Sequence, residues 1–379
     1  MAQAPLRVAF CHYTSDVGGG SDRSLFDLVT HLDRAQFTPF MILRSGDPLS
    51  VAYREAGCTV AEIPFVPPRK ALELRKLAAF FLAYVPHVFR SARTLRRWKI
   101  EVVHVNTINN LQGPVAARLA GCPLVWHVRE MAGEGRIGRA MRGLVARLAH
   151  IAVANSNAVS DSLAACGDRV HTVYNGIDLS EYPEPDCKTP REPLIACVGR
   201  MEPWKGQHVL VEALPEVFAT HPDARAWFVG GPAVNKPDYL PGLQARCAAL
   251  GIAERVTFTG PRTDVPEILQ RATLLVLPSV EPEPFGRTLV EAMAAGCPPI
   301  ATATGGPLEI VEDGVSGVLV PPGDTAALAG AIQELLANPA RARAMGKAGR
   351  ARVVTRFSLD RMVEEMSQLL SSAAGRRAV

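Results

Sequence analysis

Residues 273–322 read TLLVLPSVEPEPFGRTLVEAMAAGCPPIATATGGPLEIVEDGVSGVLVPP, and this stretch decides the fold. Residues 274–277 are apolar at every position, as a parallel strand covered on both faces should be. Pro278 ends the strand, and a short acidic, proline-rich loop follows, Glu281-Pro282-Glu283-Pro284. A helix then opens at Phe285-Gly286-Arg287-Thr288 and carries Leu289, Val290, Ala292 and Met293. Gly296 closes it, where a helix C-terminus favours a left-handed residue. A second strand over 299–303 leads into Thr304-Gly305-Gly306. Strand, helix and strand in this order are the repeating unit of a doubly wound parallel sheet.

The layout carries chemistry. The carboxyl end of a strand feeds a helix N-terminus, where the first backbone N–H groups have no intrahelical partners. With the helix dipole they make an anion site suited to a phosphate. Two carboxylates bracket it: Glu283 in the loop and Glu291 further along the helix. At the carboxyl edge of such a sheet, each can accept hydrogen bonds from the hydroxyls of a sugar or a ribose. Acids near helix starts also arise for dipole reasons alone, so the pair does not decide between the two readings.

The whole string is more specific. E-x-F-G-x-x-x-x-E, followed by A-M-A-A-G-x-P and T-G-G-x-x-E-I-V, resembles the donor-site signature of retaining, nucleotide-sugar-dependent glycosyltransferases built from two Rossmann-like domains. The pattern is similar to that of glycosyltransferase family 4, and the likeness extends over nearly the full chain. It implies an α/β fold of two facing Rossmann-like domains, the GT-B architecture, with a cleft between them.

Composition fits that expectation. The chain has 379 residues, enough for two α/β domains, and 48% of them are apolar, enough for large cores. The formal net charge is +4, too small to argue for nucleic acid. It is unevenly placed: residues 1–185 carry 21 Lys+Arg against 16 Asp+Glu, and residues 186–379 carry 20 against 21. Eight cysteines are scattered singly with no C-x-x-C, which reads as reduced packing residues in a cytoplasmic protein, not as disulfides or a zinc site. The chain runs straight into a strand with no charged-then-apolar signal segment, and its longest apolar run, 77–86, is far short of the ~20 residues a bilayer span needs.

In chain order, a first strand over 6–13 is followed by Gly18-Gly19-Gly20-Ser21 and a helix from residue 22 to about 32. Glycine there lets backbone approach a phosphate, or simply makes a flexible turn. Strands at 37–43 and 59–63 flank a helix at 49–56. Residues 69–99 carry nine basic residues against one acid, Glu73, and Pro86 should kink the helix they form. Two readings compete: a solvated basic face, or an amphipathic surface that meets anionic lipid headgroups. Residues 136–147, with Arg139, Arg142 and Arg147 at helical spacing, extend the same surface. Nucleic acid has no recognisable module here.

A strand over 123–128 ends in His127-Val128-Arg129-Glu130, and α/β sheets put ligands at such strand ends. Most histidines in strands are core residues. Asn175-Gly176-Ile177-Asp178 makes a turn, and four prolines between 182 and 193 mark a linker. The chain then divides into a first domain over 1–180, a linker over 181–193, a second domain over 194–358 and a terminal helix over 359–379 that returns to the first domain. In the second domain, a strand over 194–198 leads to Gly199-Arg200 and, five residues on, Lys205-Gly206. Arginine as a fork and lysine as a point charge can together neutralise a diphosphate.

The resemblance assigns roles to these positions. Gly19, Arg200, Lys205, Thr288 and Leu289 would hold the donor diphosphate. Glu283, Phe285 and Gly286 would hold the donor sugar, and Glu291 the ribose. The loop at Arg262 would hold the base. His127 and Glu283 would serve at the reacting sugar. The expected partners are a nucleoside diphosphate sugar and a hydroxyl acceptor, either a glycan or a lipid-linked sugar. No metal and no cofactor is expected, because the cations supply the charge. Two rivals share the architecture: a nucleotide-sugar 2-epimerase and a non-catalytic nucleotide-sugar-binding subunit.

Overall fold

The computed structural model describes residues 4–13, 19–65, 74–131, 133, 135–185 and 191–375. The chain forms two compact units, residues 1–176 with 359–379, and residues 177–358.

The first unit alternates strand and helix: β1 (Leu6–Cys11), α1 (Gly20–His31), β2 (Phe37–Arg44), α2 (Ser50–Glu55), β3 (Thr59–Ile63), α3 (Leu74–Arg97), β4 (Val102–Asn106), α4 (Gln112–Ala120), β5 (Leu124–Val128), α5 (Arg136–Leu148), β6 (Ile151–Ala154), α6 (Asn157–Ser162) and β7 (Val170–Thr172). The strands form one seven-stranded sheet in the order β3-β2-β1-β4-β5-β6-β7. Every pairing is parallel. The order reverses between β1 and β4, the switch point at which such sheets bind ligands.

Alternation along the strands builds two cores, one on each face. Ala9 and Cys11 point to the face covered by Val88, Ala92 and Leu95 of α3, Ala116 of α4 and Val145 of α5. Val8 and Phe10 point to the other, with Leu25, Leu28 and Val29 of α1. The same face receives the last helix of the chain, α14 (Leu359–Gly375), through Leu359, Met362, Met366 and Leu370. Helix α3 runs as one element through Pro86. Its Val88, Ala92 and Leu95 are buried in the core beyond that residue. The part of the 69–99 segment that precedes α3 lies outside the described residues.

The second unit repeats the plan with β8 (Glu192–Val198), α7 (Gln207–Thr220), β9 (Arg225–Val229), α8 (Tyr239–Ala249), β10 (Val256–Gly260), α9 (Val265–Arg271), β11 (Ala272–Leu277), α10 (Arg287–Ala294), β12 (Pro299–Thr302), α11 (Pro307–Ile310), β13 (Val318–Val320), α12 (Thr325–Ala337) and α13 (Pro339–Arg356). Helix α14 (Leu359–Gly375) then completes the first unit. The six strands run parallel in the order β10-β9-β8-β11-β12-β13, with the switch point between β8 and β11. Asp324 opens α12 by accepting from the Ala327 N–H at 2.9 Å, a standard N-cap. The proline-rich stretch before β8 packs on this unit. The Arg191 guanidinium donates to the carbonyls of Leu269, Ala272 and Ala295, each at 2.7 Å. Residues 186–190 of that stretch lie outside the described residues. Among the described residues, no helix is long and apolar enough to cross a membrane.

Candidate functional site

At the second unit's switch point, the loops after β8 and β11 meet. Gly206 makes the contact possible: it sits at φ +70°, and a Cβ there would stand 1.8 Å from the Pro278 carbonyl oxygen. The Val280 N–H donates to the Trp204 carbonyl at 2.9 Å across the same seam. This places Lys205 beside the acidic loop. Its Nζ lies 2.6 Å from Glu283 Oε2, with the side chains 18% and 8% exposed. Ser279 Oγ donates to the same oxygen at 3.1 Å, and Thr302 Oγ1 fixes Ser279 by donating to its carbonyl at 2.7 Å. Lys205 also lies over the Trp204 ring, 4.1 Å from its centroid.

The glycine pair after β12 shapes the acidic loop. Gly305 has φ +68°, and a Cβ there would meet the Glu283 carbonyl oxygen at 2.3 Å. The Gly306 N–H donates to that oxygen at 2.8 Å. Helix α10 opens after Gly286, at φ +97° with no side-chain cap. Such an N-terminus keeps its positive dipole end for a ligand. Arg287 Nε lies 2.8 Å from Glu291 Oε1, one helical turn on, and holds that carboxylate in place. Arg200 Nε lies 3.3 Å from Glu202 Oε2, and its side chain is 41% exposed.

Not every sequence-derived position offers its side chain. Phe285 is buried, with its ring 6.1 Å from that of Phe357, so it anchors the loop and presents backbone. Leu289 is fully buried, and its N–H donates to the Gly286 carbonyl at 2.9 Å inside the helix turn. Arg262 is exposed and forms a two-pronged pair with Asp264, at 2.7 and 2.5 Å. Arg200, Lys205, Glu283, Gly286, Thr288 and Glu291 all stand on the loops that follow β8 and β11 or on helix α10. Ser279 and Arg287 were not singled out in the sequence. The i,i+4 spacing of Arg287 and Glu291 was the legible signal.

In the first unit, Gly19 caps α1 with its carbonyl, which accepts from Asp22 and Arg23 at 3.0 and 3.1 Å. Gly18 lies outside the described residues. His127, at the carboxyl end of β5, is fully buried. Its Nδ1 lies 3.3 Å from His104 Nε2 and 3.4 Å from Arg129 Nη2. Arg129 also donates through Nε to Asn106 Oδ1 at 2.6 Å, and through Nη1 to Asn175 Oδ1. Asn106 Nδ2 lies 3.1 Å from His12 Nδ1, and His12 Nε2 lies 3.0 Å from Asp22 Oδ1. Nothing in the local sequence gives His12, His104 or Arg129 a role. Only the fold brings residues 12, 22, 104, 106, 127, 129 and 175 together.

Burial sets the ionisation here. Desolvation, with the Arg129 charge and His12 adding to it, pushes His104 down to about 3. Desolvation, then Arg129 and His104, hold His127 well below its ordinary value. Both are bases depressed on folding. The unfolded chain takes up their protons below about pH 6.5, whereas the folded chain stays neutral there. Stability therefore falls as pH drops below about 6.5, with both histidines contributing to the slope. Glu130 has the opposite sign, because burial raises its carboxyl. Thermal melts between pH 7 and 5 should show the fall, and a His104→Phe variant should show a shallower one.

Sequence comparison places these two units in a known group. The profile described as Glycosyl transferases group 1 matches residues 181–352, and that described as Glycosyltransferase Family 4 matches residues 18–181. The D-inositol 3-phosphate glycosyltransferase of Segniliparus rotundus is 30% identical over 311 residues, spanning 74% of this chain and 68% of that protein. The chain belongs to glycosyltransferase family 4. The D-inositol 3-phosphate glycosyltransferase of Nocardia farcinica is 33% identical over 302 residues, and this match spans 75% of the family 4 chain but 65% of the Nocardia protein's length. Among solved structures, Anabaena Alr3699/HepE in complex with UDP and glucose superposes with a TM-score of 0.83 at 26% identity. It covers 97% of this family 4 chain and 100% of its own. The two parallel sheets are thus the two Rossmann-like domains of a GT-B glycosyltransferase.

Proposed function

We propose that this chain transfers a hexose from a nucleoside diphosphate sugar to an acceptor hydroxyl, with retention of anomeric configuration and without a metal. The observation that carries the reading is the Lys205–Glu283 pair, 2.6 Å apart, at the second sheet's switch point beside the uncapped start of α10. A departing diphosphate needs positive charge, and the sugar it leaves needs oriented hydrogen bonds. Arg200, Lys205 and the Thr288 N–H take the diphosphate, with Gly19 as a backbone contact. The Leu289 N–H, which donates to the Gly286 carbonyl, is shared between that carbonyl and the diphosphate. A preorganised donor of this kind contributes about 3–4 kcal/mol to the barrier reduction. Glu283, set by Lys205 and Ser279, accepts from sugar hydroxyls, while backbone at Phe285 and Gly286 lines the sugar. Glu291, set by Arg287, accepts from the ribose. The loop at Arg262 faces the base. His127 donates to a sugar hydroxyl, and the leaving phosphate takes the acceptor proton.

The Anabaena protein holds UDP and glucose, and the Segniliparus and Nocardia relatives are named for D-inositol 3-phosphate. These define the first donors and acceptors to test. Incubation with UDP-glucose, UDP-GlcNAc or GDP-mannose and D-inositol 3-phosphate or a lipid-linked sugar should yield one glycoside. Its anomeric configuration, read by NMR, should match that of the donor. Conversion of UDP-GlcNAc alone to an epimer would make the protein an isomerase. Tight donor binding with no turnover across acceptors would make it a binding subunit.

A cytoplasmic role at the inner membrane face, in cell-envelope or polysaccharide synthesis, has one specific support. Helices α3 and α5 hold six and four Lys+Arg and no acid. On α3, Leu82 and Phe89 are 78% and 55% exposed, and on α5 Ile137 is 66% exposed. Basic helices with exposed apolar residues bind anionic interfaces. Phosphatidylglycerol vesicles should sediment the protein at low salt and release it at high salt, and Leu82→Ser with Phe89→Ser should abolish the effect. Equal behaviour with phosphatidylcholine vesicles would make the basic faces simply solvated.

A further inference from the structure

The buried network around Arg129 has a direction. A guanidinium donates and never accepts, and it keeps its proton at any working pH. Arg129 Nη2 points at His127 Nδ1 at 3.4 Å, so that nitrogen is an acceptor and carries no hydrogen. His104 Nε2, 3.3 Å from the same atom, must then be the donor of the pair. The His127 proton is left on Nε2, a buried atom with no hydrogen-bond partner among the described residues. On the other side, Arg129 Nε needs an acceptor and takes Asn106 Oδ1 at 2.6 Å. Asn106 then turns its amide N–H toward His12 Nδ1, and His12 Nε2–H faces the Asp22 carboxylate at 3.0 Å.

Without Arg129, the His104–His127 pair has two arrangements open to it, one with each ring as donor. The guanidinium removes that choice. A buried Nε2–H with no partner is costly, and that cost is recovered when a ligand oxygen accepts from it.

We propose that Arg129 is a positioning residue that fixes His127 in its Nε2–H tautomer, so that the ring presents a hydrogen-bond donor and cannot act as a base. The inference deepens the reading above, in which His127 faces a sugar hydroxyl, and rests on it for its consequence in catalysis. The tautomer itself is measurable without substrate, which separates the two.

The experiment is ¹⁵N–¹H long-range correlation NMR of histidine-labelled protein at pH 7.5, for the wild type, Arg129→Met and Arg129→Lys. His127→Asn assigns the signal. In the wild type His127 should give the Nε2–H pattern alone, and a His127 Nδ1–H pattern there would overturn the proposal with no variant needed. Arg129→Met should mix the two forms, whereas Arg129→Lys, still a donor-only cation, should retain the Nε2–H form. An Asn175→Ala variant loosens the same network without touching His127 and should keep the single tautomer. If Arg129→Met also keeps it, Arg129 does not set the tautomer. Once a donor is identified, equal mixing in Arg129→Met should lower kcat about twofold, in line with the competent fraction. His127→Ala should lose more than this. An unchanged rate in His127→Ala with the wild-type tautomer as expected would overturn the sugar-facing role and leave the tautomer assignment standing.

Discussion

Lys205→Ala should lower kcat/KM by roughly 10²–10³-fold, the loss typical of one preorganised donor at a developing negative charge. The same change should also destabilise the fold, because it strands a carboxylate. Glu283 is 8% exposed at its side chain and keeps only the Ser279 hydroxyl, 3.1 Å away, among its side-chain partners described here. Breaking a buried pair by removing one partner costs about 3–5 kcal/mol, and the 18% exposure of Lys205 puts this case at or below the lower end. A double-mutant cycle separates the two effects. Lys205→Ala with Glu283→Gln neutralises the stranded charge and should regain most of the thermal stability. It should regain none of the activity, since the diphosphate still lacks its cation. Arg200→Ala is the complement. Its side chain is 41% exposed, and its pair with Glu202 is worth under about 1 kcal/mol, so activity should fall with little change in melting temperature. If the double variant recovers activity along with stability, Lys205 is a structural partner of Glu283 and nothing more.

Gly305→Val should be among the most damaging single changes in the second unit outside its core. Gly305 sits at φ +68°, which costs a β-branched residue about 1–3 kcal/mol of strain. Its Cβ would also meet the Glu283 carbonyl oxygen at 2.3 Å, well inside contact distance. The acidic loop must move, and the Gly306 N–H loses its 2.8 Å bond to that same oxygen. Together these should lower the melting temperature by on the order of 10 °C for a unit of this size and remove activity in whatever folds. Gly314→Val is the control: φ is +72°, yet nothing lies within 4 Å of its Cβ. It carries the strain without the collision, and the difference between the two variants measures how tightly the glycine turn holds Glu283. Equal melting temperatures would mean that the acidic loop relaxes at no cost.

The second unit was the more legible half. Its strand, loop and helix are consecutive in sequence, so residues 273–306 already hold Glu283, the start of α10, Glu291 and the glycine turn that clamps the loop. Lys205 lies 78 positions from Glu283, yet β8 and β11 are neighbours at the switch point, and the doubly wound order predicts that pairing. Phe285 and Leu289 were read as ligand contacts; both side chains are buried, so backbone is what these positions can offer. Helices α8 and α9 and the short strand β13 had too little apolar periodicity to stand out. The first unit's polar network was not legible at all. His12, Asn106, His127, Arg129 and Asn175 come from three strand ends and one turn, and each alone looks like an ordinary core or turn residue. No local pattern announces a buried arginine held by two asparagines and a histidine.

The β8 and β11 loops are expected to bind a nucleoside diphosphate through Arg200, Lys205 and Glu291 without a metal. Calorimetric titration with UDP, GDP and ADP in EDTA tests it most directly, run on the wild type, Arg200→Ala and Glu291→Gln. One nucleotide should bind saturably to the wild type, and each variant should weaken it tenfold or more. No binding by any nucleotide in EDTA, or affinities unchanged in both variants, would contradict the claim.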